Sequence, residues 1–290
     1  MRFKTIENKK LFLEISSEMG ASIISFKEKS KNLDIFRSFP ANKKISKFNS
    51  YFTGYFATVP YFGAVHENTF PLKNNYISLM KNHILEPVTI HGEGWINKWD
   101  VSKQTKNSIE LVFKHNGKKN YPYAYKAKQT FKLKNKSLII SISLENIDKD
   151  FFYCGIGFHP WFNLSEFSKI HSNSFTYLKK IKKEKLIKSK MLKSKALDLN
   201  KYKIDETFLD WNGKSKLIID KNLSLIIKNK NNVNNLHVFS PPKKNFFCIE
   251  PVTNIRDAFY TKKLGKHYHG LKKLNPNKIF KAEIEFEVIG

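Results

Sequence analysis

Two segments of the sequence place an ionisable residue immediately before a proline, at the end of an apolar run. His159 follows the run 153–158, and Glu250 follows the run 246–249. A residue that precedes proline is biased toward extended backbone, and the proline withdraws an amide donor from the sheet. We therefore expect two strand ends that deliver an imidazole and a carboxyl group, which together form a candidate general acid and base.

The glycines beside His159 predict an open approach to the backbone. If residues 153–159 form one strand, Gly155 and Gly157 lie on the same face as His159, and that face is almost bare. A ligand could then come close to the chain beside the imidazole. Taken alone, a histidine in an aromatic strand is more often a structural residue, so other features must decide between the two interpretations.

Glu250 is difficult to explain as a surface residue. Strand alternation places its carboxyl group on the face of Cys248 and Phe246, among apolar neighbours. A carboxyl group in such surroundings needs a partner or a function, because burial without hydrogen bonds is costly.

A loop rich in glycine and tryptophan is a second candidate contact region. His91 begins a segment with two glycines, which is followed by Trp95 and Trp99. Glycines let the backbone approach a ligand, and indole rings cover apolar faces such as those of a sugar. The alternative is a glycine turn with two core tryptophans. The aromatic stretch 45–76 is open to the same two interpretations, core packing or the lining of a pocket.

The sequence carries no diagnostic metal or cofactor motif. His91, His159, Asp205 and Glu250 could in principle coordinate a cation, but their spacing is not that of a known site. The two cysteines lie in no CxxC or Cys/His pattern, so neither a zinc site nor a disulfide framework is supported. Acyl and phosphoryl transfer gain no support either, because a nucleophile elbow and a phosphate-binding glycine loop are both missing. We expect no metal and no cofactor.

The formal net charge of +27 raises the question of an anionic partner. Of the 52 basic residues, only Arg2, Arg37 and Arg256 are arginines, and specific nucleic-acid recognition relies on the planar arginine fork. We therefore expect weak, salt-sensitive nucleic-acid binding without sequence specificity. The run from Lys179 to Lys195 is the one segment where a specific anionic partner could be argued. We expect residues 179–200 to form a short helix or an irregular, exposed excursion.

Length and composition favour one soluble globular unit. The chain has 290 residues, of which 41% are hydrophobic, and this excludes disorder as its main state. The N-terminus has no apolar core of signal-peptide length, and no run of 18 apolar residues occurs. We expect a cytoplasmic, monomeric protein without membrane contact, folded as a single domain over residues 1–290.

Short alternating runs separated by turn residues dominate the chain, without a long amphipathic helix. Asn116-Gly117 indicates a hairpin, and Lys221-Asn222 indicates a second turn. The candidate strands include residues 11–15, 21–26, 109–113, 123–133, 138–144, 217–220 and 223–227, and a last strand near the C-terminus whose inward residues are Ile284, Phe286 and Val288. These features predict an all-β fold, a large antiparallel β-sandwich.

Four segments, in order along the chain, resemble motifs of the aldose 1-epimerases, also called galactose mutarotases. Residues 157–164 resemble the His-Pro-Tyr-Phe-Asn-Leu motif of that family, and residues 90–95 resemble its His-Gly loop. Residues 204–208 are similar to its Asp-x-x-Phe segment, and residues 247–253 to its glutamate strand. The resemblance covers nearly the whole chain. It implies a β-sandwich of the supersandwich, galactose mutarotase-like type, in agreement with the predicted strands.

The resemblance also implies a reaction and a role for each site residue. Glu250 matches the base that removes the proton from the anomeric hydroxyl, and His159 matches the acid that protonates the ring oxygen. The ring opens, and closure on the other face of the aldehyde exchanges the α and β anomers. His91 and Asp205 match positions that hold the sugar hydroxyls, and His91 also assists near the ring oxygen. The implied partner is a small sugar, and no cofactor is implied.

One position departs from the family pattern. Many members have Asn-Arg after a proline and aromatic segment, whereas this chain has Gly63 and Ala64. A charge-assisted hydrogen bond of about 1.5–3 kcal/mol would be lost, which affects sugar identity and efficiency rather than the acid and base. His66 or a nearby lysine is a candidate substitute.

Three other functions compete with an epimerase of free sugars. An epimerase of sugar phosphates with the same fold would benefit from the lysines, although the run from Lys179 to Lys195 has no link to the site in sequence. A non-catalytic carbohydrate-binding protein would explain why Ala64 replaces the arginine of the family, but it would leave the acid and base without a role. A glycoside hydrolase could use Asp205 and Glu250 as its two carboxylates, but His159 would then have no role.

Overall fold

Alternating apolar residues build two large antiparallel sheets in this protein. The computed structural model describes residues 3–72, 75–118, 121–173, 175–182, 185–191, 195–265 and 267–289. The strands in chain order are β1 (Lys4–Glu7), β2 (Leu11–Ser16), β3 (Ser22–Glu28), β4 (Leu33–Asp34), β5 (Tyr55–Thr58), β6 (Thr69–Leu72), β7 (Asn75–Ser78), β8 (Asp100–Gln104), β9 (Ser108–Lys118), β10 (Tyr121–Lys134), β11 (Ser137–Asn146), β12 (Phe152–Cys154), β13 (Gly157–Asn163), β14 (Lys169–His171), β15 (Thr176–Lys182), β16 (Lys185–Lys190), β17 (Ala196–Asp198), β18 (Ile204–Phe208), β19 (Lys214–Asp220), β20 (Leu223–Asn231), β21 (Asn235–Ser240), β22 (Phe246–Val252), β23 (Lys272–Leu274) and β24 (Ile279–Ile289).

Each large sheet contains nine of these strands. The first is ordered β1-β2-β3-β5-β13-β22-β21-β18, with β4 paired to β3, and the second is ordered β17-β14-β19-β20-β24-β11-β10-β9-β8. Two-stranded pairs β6-β7, β12-β23 and β15-β16 complete the set. The helices are short: α1 spans Ala258–Lys263, and single 3₁₀ segments span Lys47–Phe52, His66–Asn68 and His267–His269. The predicted all-β, antiparallel architecture is confirmed.

The main core lies between the inward faces of the two sheets. Tyr55 of β5 in the first sheet packs edge to face on Phe131 of β10 in the second, with ring centroids 5.8 Å apart. The last strand, β24, buries Ile284, Phe286 and Val288 as its alternation predicts. Burial of these faces is the main stabilising contribution to a sandwich.

Two turn predictions have different outcomes. The turn at Lys221-Asn222 is confirmed, because β19 ends at Asp220 and β20 begins at Leu223. Asn116-Gly117 does not form the hairpin turn but lies within β9, where the β9–β10 register shifts at a bulge. Gly117 has φ +70°, and a Cβ there would lie 2.6 Å from the carbonyl oxygen of Pro122, so glycine serves the bulge.

The lysine-rich segment is a hairpin, neither a helix nor an irregular excursion. Strands β15 and β16 pair antiparallel, with Tyr177 opposite Ser189 and Lys179 opposite Ile187. Leu178 and Met191 pack against the main core, and this contact supports extended backbone in the hairpin. Residues 183–184 and 192–194 of the run lie outside the described residues.

None of the helices that the structure describes combines the length and the apolar character that crossing a bilayer requires.

The segment before His159 is not the single strand that alternation predicts. Strand β12 ends at Cys154 and pairs with β23, and β13 begins at Gly157 in the first large sheet. A Cβ on Gly155 would lie 1.9 Å from Oδ1 of Asn254, and a Cβ on Gly157 would lie 2.3 Å from Oγ1 of Thr58. The expectation of ligand access at these glycines is therefore wrong, because other side chains of the protein occupy the space.

Gly155→Ala is expected to destabilise the protein by roughly 1–3 kcal/mol, because the methyl group has no room beside Asn254. The side chain of Asn254 cannot move freely, because it makes two hydrogen bonds with the backbone of Phe62. Nδ2 of Asn254 donates to the Phe62 carbonyl at 2.9 Å, and Oδ1 accepts from the Phe62 backbone amide at 3.1 Å. Urea unfolding measures the effect. In an Asn254→Ala background the same glycine substitution should cost much less, and equal costs in both backgrounds would contradict the explanation.

Candidate active site

The site lies on the face of the first large sheet that points away from the main core. In β13, Phe158 and Phe162 belong to the main core, whereas Trp161 belongs to a separate buried cluster on the opposite face. In β22, Phe247 and Ile249 likewise face the main core, and Cys248 joins that separate cluster. His159 and Glu250 share the alternation of Trp161 and Cys248, so both lie on the outer face.

Strand pairing brings the site residues together from distant parts of the sequence. Strands β5, β13, β22, β21 and β18 are consecutive neighbours in the sheet. Trp161 pairs with Cys248, His237 pairs with Glu250, and Asp205 pairs with Phe239. The imidazole of His159 and the carboxyl group of Glu250 therefore meet across two adjacent strands.

His159 and Glu250 form a close, buried pair. Nε2 of His159 lies 3.3 Å from Oε2 of Glu250, and the side chains are only 6% and 1% exposed. Among the described residues, neither Nδ1 of His159 nor Oε2 of Glu250 has a well-aligned hydrogen-bond partner. A buried polar atom left in this state is costly and needs an explanation, of which a catalytic role is one.

Burial shifts the two pKa values in opposite directions. Burial, with a smaller contribution from Asp205, raises the pKa of Glu250 well above its usual value. Burial, and then the neighbouring His91 and His237, lower the pKa of His159 well below its usual value. Because each group disfavours its charged form, the pair holds one proton over a wide pH range.

His91 approaches the pair from a tightly constrained turn. Its backbone has φ +59°, its amide donates to the carbonyl of Gly63 at 3.0 Å, and its Nδ1 accepts from the amide of Gly63 at 3.1 Å. Nε2 therefore carries the imidazole hydrogen and can donate it to a ligand. The ring stands edge-on to His159, with centroids 5.2 Å apart. Burial, and then His237, lower the pKa of His91 to about 3, so it is neutral at ordinary pH.

The glycines after His91 serve packing. Gly92 has φ +68°, and a Cβ there would lie 2.3 Å from Pro60; a Cβ on Gly94 would lie 2.3 Å from Val59. Trp95 and Trp99 are fully buried, so the interpretation as core tryptophans is correct. Trp161 is the tryptophan that lines the cavity, and it stacks on His159 at 5.0 Å.

Asp205 lies in a charged network on another wall of the cavity. Its carboxylate contacts Nε2 of His237 at 3.3 Å and Nη1 of Arg256 at 2.5 Å. His237 is held in turn by Thr207, with Nδ1 and Oγ1 3.0 Å apart. Burial alone would raise the pKa of Asp205, but the hydrogen bond from His237 and the charges of His237 and Arg256 lower it.

The four predicted residues, His91, His159, Asp205 and Glu250, line one cavity of about 340 Å³. The aromatic side chains that complete its walls are those of Tyr51, Phe62, Trp161 and Phe239. The volume and the mixture of aromatic faces with convergent polar groups suit a small polar ligand such as one monosaccharide.

Sequence reasoning missed His237 and Arg256, which line the same cavity. His237 lies in the apolar strand β21, and an ionisable residue in such a strand is the same signal that identified Glu250. Arg256 follows the glutamate strand closely and is one of few arginines, but its position depends on tertiary folding.

Ala64, the residue at the position where many family members have arginine, lines the cavity. The candidate substitute His66 lines a neighbouring cavity of about 440 Å³ instead. That second cavity is also lined by Lys179 and Lys180 of the lysine hairpin and by Arg256, which belongs to both. The lysine run, distant in sequence, is thus adjacent to the site in space.

His159, Cys248 and Glu250 are the one group of three metal-ligand side chains among the described residues, with ligand atoms within 4.8 Å of one another. Cys248 is fully buried, and burial raises the pKa of its thiol well above the usual value. The guanidinium of Arg37 stands 4.4 Å from the centroid of the adjoining Trp161 ring. Because that cation repels another positive charge, the arrangement disfavours a metal ion.

Comparisons with known proteins identify a family and a fold for this chain. Residues 3–287 match the family model of aldose 1-epimerases. The uncharacterised protein YphB of Escherichia coli K12 is 24% identical over 216 residues, which cover 70% of this chain and 73% of YphB. The crystal structure of an E. coli K12 protein provisionally called an aldose 1-epimerase has a TM-score of 0.85 at 21% identity and covers 99% of both chains.

A galactose mutarotase-like protein from Clostridium acetobutylicum has a TM-score of 0.84 at 18% identity, covering 99% of this chain and 94% of the other. At these identities the structural likeness shows a shared fold, the galactose mutarotase-like sandwich. The match to the family model extends over nearly the whole sequence. This chain therefore belongs to the aldose 1-epimerase family.

Proposed function

We propose that this protein is an isomerase that interconverts the α and β anomers of a free aldose. The observation that carries the proposal is the buried pair of His159 and Glu250, 3.3 Å apart, in a cavity sized for one sugar ring. A general acid and a general base are the two groups that ring opening of a hemiacetal requires.

Ring opening transfers two protons. The carboxylate of Glu250 accepts the proton of the anomeric hydroxyl, and the electrons of that O–H bond form the C1 carbonyl. The C1–O5 bond breaks, and its electrons take a proton from the imidazolium of His159 at O5. After rotation about C1–C2, O5 attacks the other face of the aldehyde, and the two residues reverse their roles.

The reaction needs one proton on the pair, located on His159. Without a sugar, the opposite pKa shifts favour that proton on Glu250. Nε2 of His159 and Oε2 of Glu250, 3.3 Å apart, are close enough for the proton to pass once bound sugar aligns the two groups and its hydroxyls stabilise the resulting charges. Nε2–H of His91 supports the charge near O5, and the carboxylate of Asp205 accepts hydrogen bonds from ring hydroxyls.

We expect the kcat/KM of mutarotation to stay level as the pH falls from about 7 to about 5.5. An ordinary histidine gains a proton over that range, but burial holds the pKa of His159 well below 6.5, so the pair keeps a single proton. The raised pKa of Glu250 keeps that proton bound well above the 4.5 of an ordinary glutamate. Rates corrected for spontaneous mutarotation at each pH provide the measurement. A loss of kcat/KM centred near pH 6.5 would show that an unshifted histidine controls the reaction.

Polarimetry of freshly dissolved sugars tests the proposed activity. The optical rotation of α-D-glucose, α-D-galactose and a pentose should reach equilibrium faster with the protein than without it. Bovine serum albumin at the same concentration controls for general acid and base catalysis by surface groups. Acceleration of none of these sugars would argue against a free aldose as substrate.

A sugar phosphate is the second candidate substrate. The observation in its favour is the cationic border of the site, where Arg256 lines the sugar cavity and Lys179 and Lys180 line the adjoining one. Comparison of a hexose 6-phosphate with the free hexose at equal concentration distinguishes the two. A preference for the phosphate that disappears in Lys179→Gln and Lys180→Gln variants would favour this candidate.

A further inference from the structure

Arg256 is placed to do more than neutralise Asp205. Its two guanidinium hydrogen bonds among the described residues both use Nη1, one to the carboxylate of Asp205 and one to its backbone carbonyl at 3.1 Å. A guanidinium carries five N–H groups, so hydrogens on Nε and Nη2 remain for a ligand. The side chain is 46% exposed and borders the cavity that holds the acid and base pair.

The backbone of Arg256 is held beside position 64, where this chain has alanine instead of the arginine of many family members. Its amide donates to Oγ1 of Thr207 at 3.2 Å, and its Cα would lie 3.2 Å from a Cβ on Gly63. Arg256 therefore packs directly against the residue that precedes Ala64. A guanidinium supplied from here enters the same cavity that a side chain at position 64 would enter.

We propose that Arg256 is a substrate-contacting specificity residue, which together with Asp205 binds two adjacent hydroxyl groups of the sugar. The inference rests on the proposed function for the sugar as ligand. The carboxylate of Asp205 accepts a hydrogen bond from one hydroxyl, and a free N–H of Arg256 donates to the oxygen of its neighbour. The 2.5 Å contact between carboxylate and guanidinium places an acceptor and a donor side by side, as a vicinal diol requires.

This arrangement gives Arg256 a role that differs from that of a positioning residue. A residue that acted only through Asp205 would hold the carboxylate in place and lower its pKa, and its removal would matter only while Asp205 is present. A residue that contacts the sugar contributes binding energy of its own. A double-mutant cycle separates the two cases.

The test measures equilibrium binding of D-glucose and D-galactose by calorimetry, independently of turnover, in four proteins: wild type, Arg256→Gln, Asp205→Asn and the double variant. Arg256→Gln should raise Kd about tenfold or more, and it should still raise Kd several-fold in the Asp205→Asn background. Lys188→Gln is the matched control, because Lys188 is likewise a cation paired with a carboxylate, that of Asp210 at 3.0 Å, and it lines neither cavity. Its Kd should equal that of wild type.

The proposal is overturned if Arg256→Gln has no effect in the Asp205→Asn background, or if Lys188→Gln weakens binding equally. Arg256→Lys keeps the charge but not the planar fork, so this variant should bind the sugar more weakly than wild type. It provides the same comparison if Arg256→Gln fails to fold. Because the readout is binding, it stays separate from the epimerase proposal. Tight sugar binding by the wild type without mutarotation would refute the epimerase activity, and the role of Arg256 in binding could still be tested. Mutarotation together with an unchanged Kd in Arg256→Gln would refute only the role of Arg256.

Discussion

Replacing Glu250 by glutamine is expected to lower the turnover of mutarotation at least about a hundredfold while the protein stays folded. Glutamine keeps the shape of the side chain but cannot accept the anomeric proton. The side chain is 1% exposed and Oε2 lies 3.3 Å from His159, so water has little room to replace the lost base. The neutral amide also suits the buried surroundings that already disfavour a charge.

Polarimetry and thermal unfolding of the same samples separate catalysis from folding. Glu206→Gln is the matched control, because Glu206 is a partly buried carboxyl one residue from Asp205 that lines the adjoining cavity. Its turnover should be within about twofold of wild type, as expected for a group outside the reacting atoms. Near wild-type mutarotation by Glu250→Gln would make the glutamate a structural residue and would show that another group acts as the base.

His159→Asn should produce a loss of similar size, at least about a hundredfold in turnover. Asparagine retains a polar side chain but cannot transfer a proton to O5 at ordinary pH. The double variant with Glu250→Gln should be little worse than either single variant, because acid and base act as a unit.

Stopped-flow polarimetry across the three variants gives the comparison. His171→Asn serves as a control, since His171 is an exposed histidine of β14 in the other large sheet. If the effects of His159→Asn and Glu250→Gln simply multiplied, the two residues would act independently, and the paired mechanism would be wrong.

Much of the fold and part of the site follow from local sequence. Period-two alternation predicts the strands, and strands β13 and β22 deliver the side chains of His159 and Glu250 as expected. The expectation of strand ends is wrong, because both residues and the prolines after them lie within their strands. Alternation also places Cys248 and Glu250 on one face, as the structure shows. These signals depend only on residues near each other along the chain.

The remaining features depend on which segments become neighbours. Local sequence predicts open space beside Gly155, whereas folding brings the side chain of Asn254 against it. The network of Asp205, His237 and Arg256 exists because β18, β21 and the segment after β22 are adjacent, an order that turn and strand signals do not specify. The lysine run becomes a hairpin because Leu178 and Met191 reach the core, a tertiary effect that overrides local propensity.

Exchange NMR spectroscopy of the anomeric protons tests the acid and base mechanism most directly, because it observes α and β anomers interconverting at equilibrium. A catalytic amount of wild-type protein should produce α–β exchange cross-peaks for a free aldose, at mixing times where the sugar alone shows none. The Glu250→Gln protein should leave those cross-peaks absent while saturation transfer still reports bound sugar. Saturation transfer to the sugar without exchange cross-peaks from the wild-type protein would contradict the mechanism and identify a binding protein instead.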